Sequence, residues 1–171
     1  MAFFNRIFGS RTASSDKNSQ ITHSDNPKVK EILQLQSIID SLLSKNSYIA
    51  KSEYLKKIDE KKGVISYFQQ LKTDDLLSDF CKKNSILEKS VVSVIQNCSD
   101  IKKLVAEHNE KFIINNLESE KEYLDTILSE VDPNIMLDDD QRRVILTDED
   151  YCLVIAGAGA GKTTTVAAKV K

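Results

Sequence analysis

Residues 25–43 read DNPKVKEILQLQSIIDSLL. Asp25 or Asn26 can accept the first amides of a helix, and Pro27 suits its first turn, where the N–H it lacks would go unpaired anyway. Val29, Ile32, Leu35, Ile39 and Leu42 follow at steps of three and four, with Ile38 and Leu43 widening the stripe. That spacing predicts an amphipathic helix. Outward on the N-terminal side, GSRTASSDKNSQITHSDN (residues 9–26) holds one large aliphatic residue, Ile21. Such a segment buries too little surface to offset the entropy of ordering, so residues 1–25 are expected to form a flexible leader. Phe3, Phe4, Ile7 and Phe8 are interrupted by Asn5 and Arg6, which does not match a signal peptide. A frayed terminus is the expectation, with a weak amphipathic anchor as the alternative.

Outward on the other side, Tyr54, Leu55, Ile58, Ile65 and Phe68 carry a second stripe, in which Gly63 predicts a break. Thr73 with Asp74 is expected to open a short helix carrying Leu76, Leu77 and Phe80. A further helix runs from about Ser85 through Val91, Val92 and Ile95. Ser99 is expected to cap a long one through Ile101, Leu104, Val105, Phe112, Leu117, Leu124 and Leu128. Residues 26–132 are thus read as a helical N-terminal domain of four to six helices. The 105 residues between Pro27 and Pro133 hold one glycine, 16 lysines, no arginine and 18 acidic residues. Mixed signs describe a solvated face better than a nucleic-acid groove, which favours arginines that fork onto phosphates. With a net charge of −2 the chain is neither a basic tail nor a polyanion. No apolar run is long enough to span a bilayer. Cys81, Cys98 and Cys152 are widely spaced and form no CxxC pair, which predicts reduced thiols in a cytoplasmic protein and argues against zinc.

After Pro133 the pattern changes. Asp138 and Gln141 have capping-box spacing before Arg142-Arg-Val-Ile-Leu146, which predicts a short helix. Tyr151-Cys-Leu-Val-Ile155 reads as a buried parallel strand. It runs into AGAGAGKT, Ala156–Thr163, and then into a helix at Val166-Ala-Ala-Lys169. The octet fits GxxxxGK[ST] with alanine first. Gly157, Gly159 and Gly161 allow unusual dihedrals, so that successive amides, including those of Ala158, Ala160 and Thr164, can converge on phosphate oxygens. A helix beginning near Lys162 aims its unpaired N–H groups at the same anion. Lys162 is the candidate catalytic residue, bridging the β- and γ-phosphates of ATP, and Thr163 the candidate Mg²⁺ ligand. The bland alternative is a glycine-rich turn before an ordinary helix.

The stretch LDDDQRRVILTDEDYCLVIAGAGAGKTTTVAAKVK (137–171) resembles the opening of a UvrD/Rep-type superfamily 1 DNA helicase, whose loop reads AGAGxGKT, so that Ala156 conforms. Leu137, Gln141 and Arg142 fit that family's Q motif. The resemblance implies that Gln141 reads the adenine edge of ATP, a carboxamide being able to donate and accept at once. A purely structural role in the capping box is compatible with this. Residues 108–141 are more loosely similar to the region leading into the core of helicase IV-like members, through Phe112 and Tyr123.

The expected fold is mostly α: by apolar spacing, a helical N-terminal domain (26–132), and by the resemblance, the first strand, P-loop and helix of an α/β RecA-like helicase domain (133–171). It implies an ATP-dependent DNA helicase, 3′ to 5′ in polarity, with ATP and Mg²⁺ as cofactors and DNA as a partner. The family's Walker B carboxylates, arginine fingers, adenine-stacking aromatic and single-strand contacts are not found in these 171 residues. The chain is therefore expected to be an N-terminal portion, inactive alone, whose last 35 residues are loosely held and packed, if at all, on the long helix. Val144-Ile-Leu-Thr-Asp-Glu149 imitates a Walker B but precedes the P-loop strand, and is rejected as a metal site. The alternative is a non-catalytic helical module that docks a protein partner and carries a vestigial P-loop.

Overall fold

The computed structural model describes residues 25–129 and 131–171. The leader and the apolar stretch Phe3–Phe8 lie outside the described residues. Asn26 caps α1 (Pro27–Leu43), its side-chain oxygen accepting from the Lys28 amide at 2.9 Å. The stripe read from the sequence is the buried face: Val29, Ile32, Leu35, Ile39 and Leu42 are each at most 2% exposed. Helices α2 (Lys51–Asp59) and α3 (Lys62–Thr73) divide the second stripe. The break falls at Glu60–Lys61, just ahead of Gly63, and Val64 is buried where Ile65 was expected.

Two cap assignments are corrected. Thr73 and Asp74 close α3 and do not open α4 (Leu77–Lys83): the Thr73 hydroxyl donates back to the Gln69 carbonyl, and Asp74 accepts from Gln70 Nε2. Ser99 ends α5 (Glu88–Ser99), its hydroxyl bound to the Ile95 carbonyl, and so cannot cap α6 (Ile101–Ser119). Short hydroxyl and carboxylate side chains bond backbone at either end of a helix, so their presence marks a boundary without giving its direction. The long helix also stops at Glu120, and α7 (Lys121–Thr126) carries Leu124 separately.

The main core joins α1, α3, α4 and α5 through Leu35, Ile39, Phe68, Leu77, Cys81 and Ile95. Tyr67, Phe68 and Phe80 meet edge to face at centroid separations of 5.2–6.0 Å, a geometry that lets ring edges meet ring faces. A second cluster ties α2 to α6 through Leu42, Ile49, Tyr54, Ile101 and Val105. Buried Asn109 pairs in both directions with the backbone of Ile49, at 2.8 and 2.9 Å, which meets the hydrogen-bonding needs of that buried residue.

After Pro133 come α8 (Asp139–Leu146) and α9 (Lys162–Val170). Ile127 and Leu128 pack with Leu137 and Ala168, so an apolar cluster crosses the expected boundary at 132/133. The expected strand is not seen. Residues 151–155 form no ladder among the described residues, and Tyr151, Leu153 and Ile155 are 94%, 84% and 87% exposed. A strand exists only through hydrogen bonds to a neighbour, and a parallel one needs further strands that the described residues do not provide. Among the described residues, no helix is long and apolar enough to cross a membrane.

Candidate phosphate-loop site

The site is assembled from the first turns of α8 and α9 and the loop between Ile155 and Lys162. Asp138 and Gln141 form the capping box in full. Gln141 N donates to Asp138 Oδ1 at 2.8 Å, and Asp138 N donates to Gln141 Oε1 at 2.9 Å. The other half of the Gln141 carboxamide, Nε2, reaches the Ala160 carbonyl at 3.4 Å. One side chain thus caps α8 and touches the loop.

Gly159 (φ 78°) and Gly161 (φ 68°) occupy the left-handed region, where a side chain is strained, whereas Gly157 does not. At Gly161 there is a second constraint. A Cβ there would overlap Gln141 Nε2, so glycine lets the carboxamide lie against the loop. Gly161 is also the N-cap of α9, and its carbonyl accepts from both the amide and hydroxyl of buried Thr165, at 2.9 and 3.0 Å.

The exposed Lys162 side chain folds back over the loop. Its Nζ donates to the carbonyls of Ala156 at 2.9 Å and Gly157 at 2.6 Å. Exposed Thr163 and half-buried Thr164 follow in the first turn of α9. Two clefts flank Gln141. One, of about 390 Å³, includes Lys162, Ala156, Ala160, Asp140 and Ile155 in its lining. The other, of about 370 Å³, includes Gly159, Ala160, Gly161, Thr164, Ile135 and Met136. Exposed Ala158 lies at the loop's tip. All the residues singled out from sequence therefore fall on one loop and two adjoining helix starts. A helix N-terminus, an exposed ammonium and two left-handed glycines suit an anion, so these residues fit a phosphate group.

Several partners of the site were not foreseen. Lys169 Nζ, from the last turn of α9, donates to the carbonyls of Val144 and Ile145 at 3.0 and 3.3 Å and of Thr147, closing the end of α8. Arg142 pairs with Asp125 and Asp139, and Arg143 forks onto Glu110. Glu149 and Asp150 sit at the start of α2: Glu149 Oε1 accepts from the Lys51 amide at 2.8 Å, and Asp150 accepts from the Ser52 amide and hydroxyl, both at 2.7 Å. These bonds from Ser52 hold the Asp150 carboxyl below its ordinary range. Glu149, the last residue of the Walker B mimic, thus serves as a helix cap. Burial pushes the Tyr48 and Tyr54 phenols up, and nearby Glu149 adds to it. These long-range contacts leave no local signal in the sequence.

A family model for the UvrD/REP helicase N-terminal domain matches residues 137–171. The match begins at buried Leu137 and spans the capping box, loop and α9, so this segment is similar to UvrD-type helicases. No curated protein and no solved structure matches the chain.

Proposed function

We propose that residues 137–171 bind ATP with Mg²⁺ as the opening of a UvrD-type helicase core, and that the whole protein couples ATP hydrolysis to 3′-to-5′ movement on single-stranded DNA. The observation that carries this reading is the meeting of Lys162, left-handed Gly159 and Gly161, the start of α9 and Gln141 on one loop. Bound ATP with its metal ion supplies the reactive phosphoryl group. Lys162 would exchange its two carbonyl partners for phosphate oxygens and neutralise charge there. The amides at the start of α9 would donate to the same oxygens, and the Thr163 hydroxyl would serve the metal ion. Gln141 would present its carboxamide to the base while keeping α8 capped.

The Walker B mimic ends at Glu149, which is engaged at α2, as is the adjoining Asp150. The 171-residue chain is therefore expected to bind ATP weakly and to turn it over no faster than a Lys162→Ala control. The decisive measurement is equilibrium binding of a fluorescent ATP analogue with Mg²⁺ to the chain and to Lys162→Ala. Saturable binding that Lys162→Ala weakens supports the reading; equal binding by both sinks it. The competing reading, a helical docking module with a vestigial loop, gains from that second result.

A further inference from the structure

Helix α8 carries Gln141, yet none of its eight residues is buried. Ile145 packs only partly against the Ile127–Leu137 cluster. Ion pairs tie it to α6 and α7. Arg142, whose side chain is 12% exposed, pairs with Asp125 of α7 and, at 3.1 Å, with Asp139. Arg143 forks onto both oxygens of Glu110 in α6 at 2.6 and 2.8 Å.

We propose that Asp125 and Glu110 are positioning residues for the nucleotide site: by fixing α8 against α6 and α7 they set where Gln141 stands on the loop, so the helical region tunes nucleotide affinity and base selectivity. This rests on the ATP-binding reading above. The chain of contacts is short. Arg142 directly follows Gln141, and the capping box ties the Gln141 carboxamide to the helix start. A displacement of α8 is therefore carried to Nε2, at its 3.4 Å contact with Ala160 and against Gly161. Arg142 Nε is buried with no hydrogen-bond partner, so the guanidinium depends on its carboxylates. Without Asp125 a largely buried cation loses a counter-charge, and the side chain must swing outward with its helix. The Glu110 pair is more exposed and weaker alone, so it reinforces what Asp125 sets.

The test compares Mg²⁺-dependent binding of fluorescent ATP and GTP analogues by the 171-residue chain, with Asp125→Asn, Asp125→Glu, Glu110→Gln, Gln141→Ala and Lys162→Ala. Asp125→Asn is expected to weaken ATP binding roughly three- to tenfold and GTP binding less, with Asp125→Glu restoring the preference. A general loss of folding would lower both affinities and leave their ratio alone. An unchanged ratio in Asp125→Asn, while Gln141→Ala lowers it, overturns the inference and leaves the ATP reading standing. ATP binding indifferent to Lys162→Ala overturns both. Should Asp125→Asn lose helix by circular dichroism, Glu110→Gln decides: a lowered ratio supports the inference and an unchanged one overturns it.

Discussion

Lys169 Nζ lies 3.0 Å from the carbonyl oxygen of Val144, so the last turn of α9 places a cation on the C-terminal end of α8. The last carbonyls of a helix have no partner within it and carry partial negative charge, which such a cation offsets by about 0.3–1 kcal/mol. Lys169→Met should speed amide exchange across Arg143–Leu146, while Lys169→Arg largely preserves protection. Equal exchange rates in Lys169→Met and the parent would refute the cap.

Leu35 lies at 0% exposure in the cluster joining α1 to α3, α4 and α5. Leu35→Ala removes its apolar contacts and leaves a cavity, at a cost of about 2–5 kcal/mol. Leu33, 41% exposed on the same helix, provides the control. Urea melts followed at 222 nm should show a large loss for Leu35→Ala and a small one for Leu33→Ala. Comparable losses at both positions would contradict the burial pattern.

Asp150 titrates below the ordinary 3.8 because the Ser52 hydroxyl and amide bind its charged form. A folded-state value lower than the unfolded one contributes stability above the unfolded value, and that contribution disappears as pH falls through the folded one. Asp150→Asn should therefore be less stable than the parent at pH 7, with the gap closing in acid. A gap that widens below pH 4 would reverse the sign and reject the cap.

The three cysteines should differ in reactivity. Cys152 is exposed, whereas Cys81 and Cys98 are buried. Burial pushes the Cys98 thiol up to about 11 and raises Cys81 too, which leaves little thiolate at neutral pH. Mass spectrometry after brief iodoacetamide treatment at pH 8 should find label on Cys152, with Cys81 and Cys98 reacting only in denaturant. Rapid native labelling of Cys98 would contradict its place in the core.

Helix α1 was legible because its cap, its proline and its stripe all describe one local geometry, and its five buried residues are the five the spacing picks out. In α6 the sequence pattern picks out Ile101 and Val105, which are buried, together with Leu104, Phe112 and Leu117, which are not. The buried line is Ile101, Val105, Asn109 and Ile113, and a polar residue in it hides the period. The capping box and glycine loop were legible because their chemistry is written in adjacent residues. Lys169, Glu110, Asp125 and the Glu149–Asp150 cap were not, since each acts on backbone or charge far away in sequence. Residues 151–155 show the reverse case: their composition describes a strand in a setting that neighbours must create.

The capping of α2 by Glu149 and Asp150 has a consequence in time. Its donors, the Lys51 and Ser52 amides, precede their acceptors by 98 residues. At about 5–20 residues per second, a ribosome takes roughly 5–20 seconds to cover that interval. Through it the nascent α2 has its apolar partner Leu42 but not the carboxylates that complete its first turn. Water must serve those amides until the phosphate-loop segment emerges, so the helical region reaches its final form only as the adjoining site is being made.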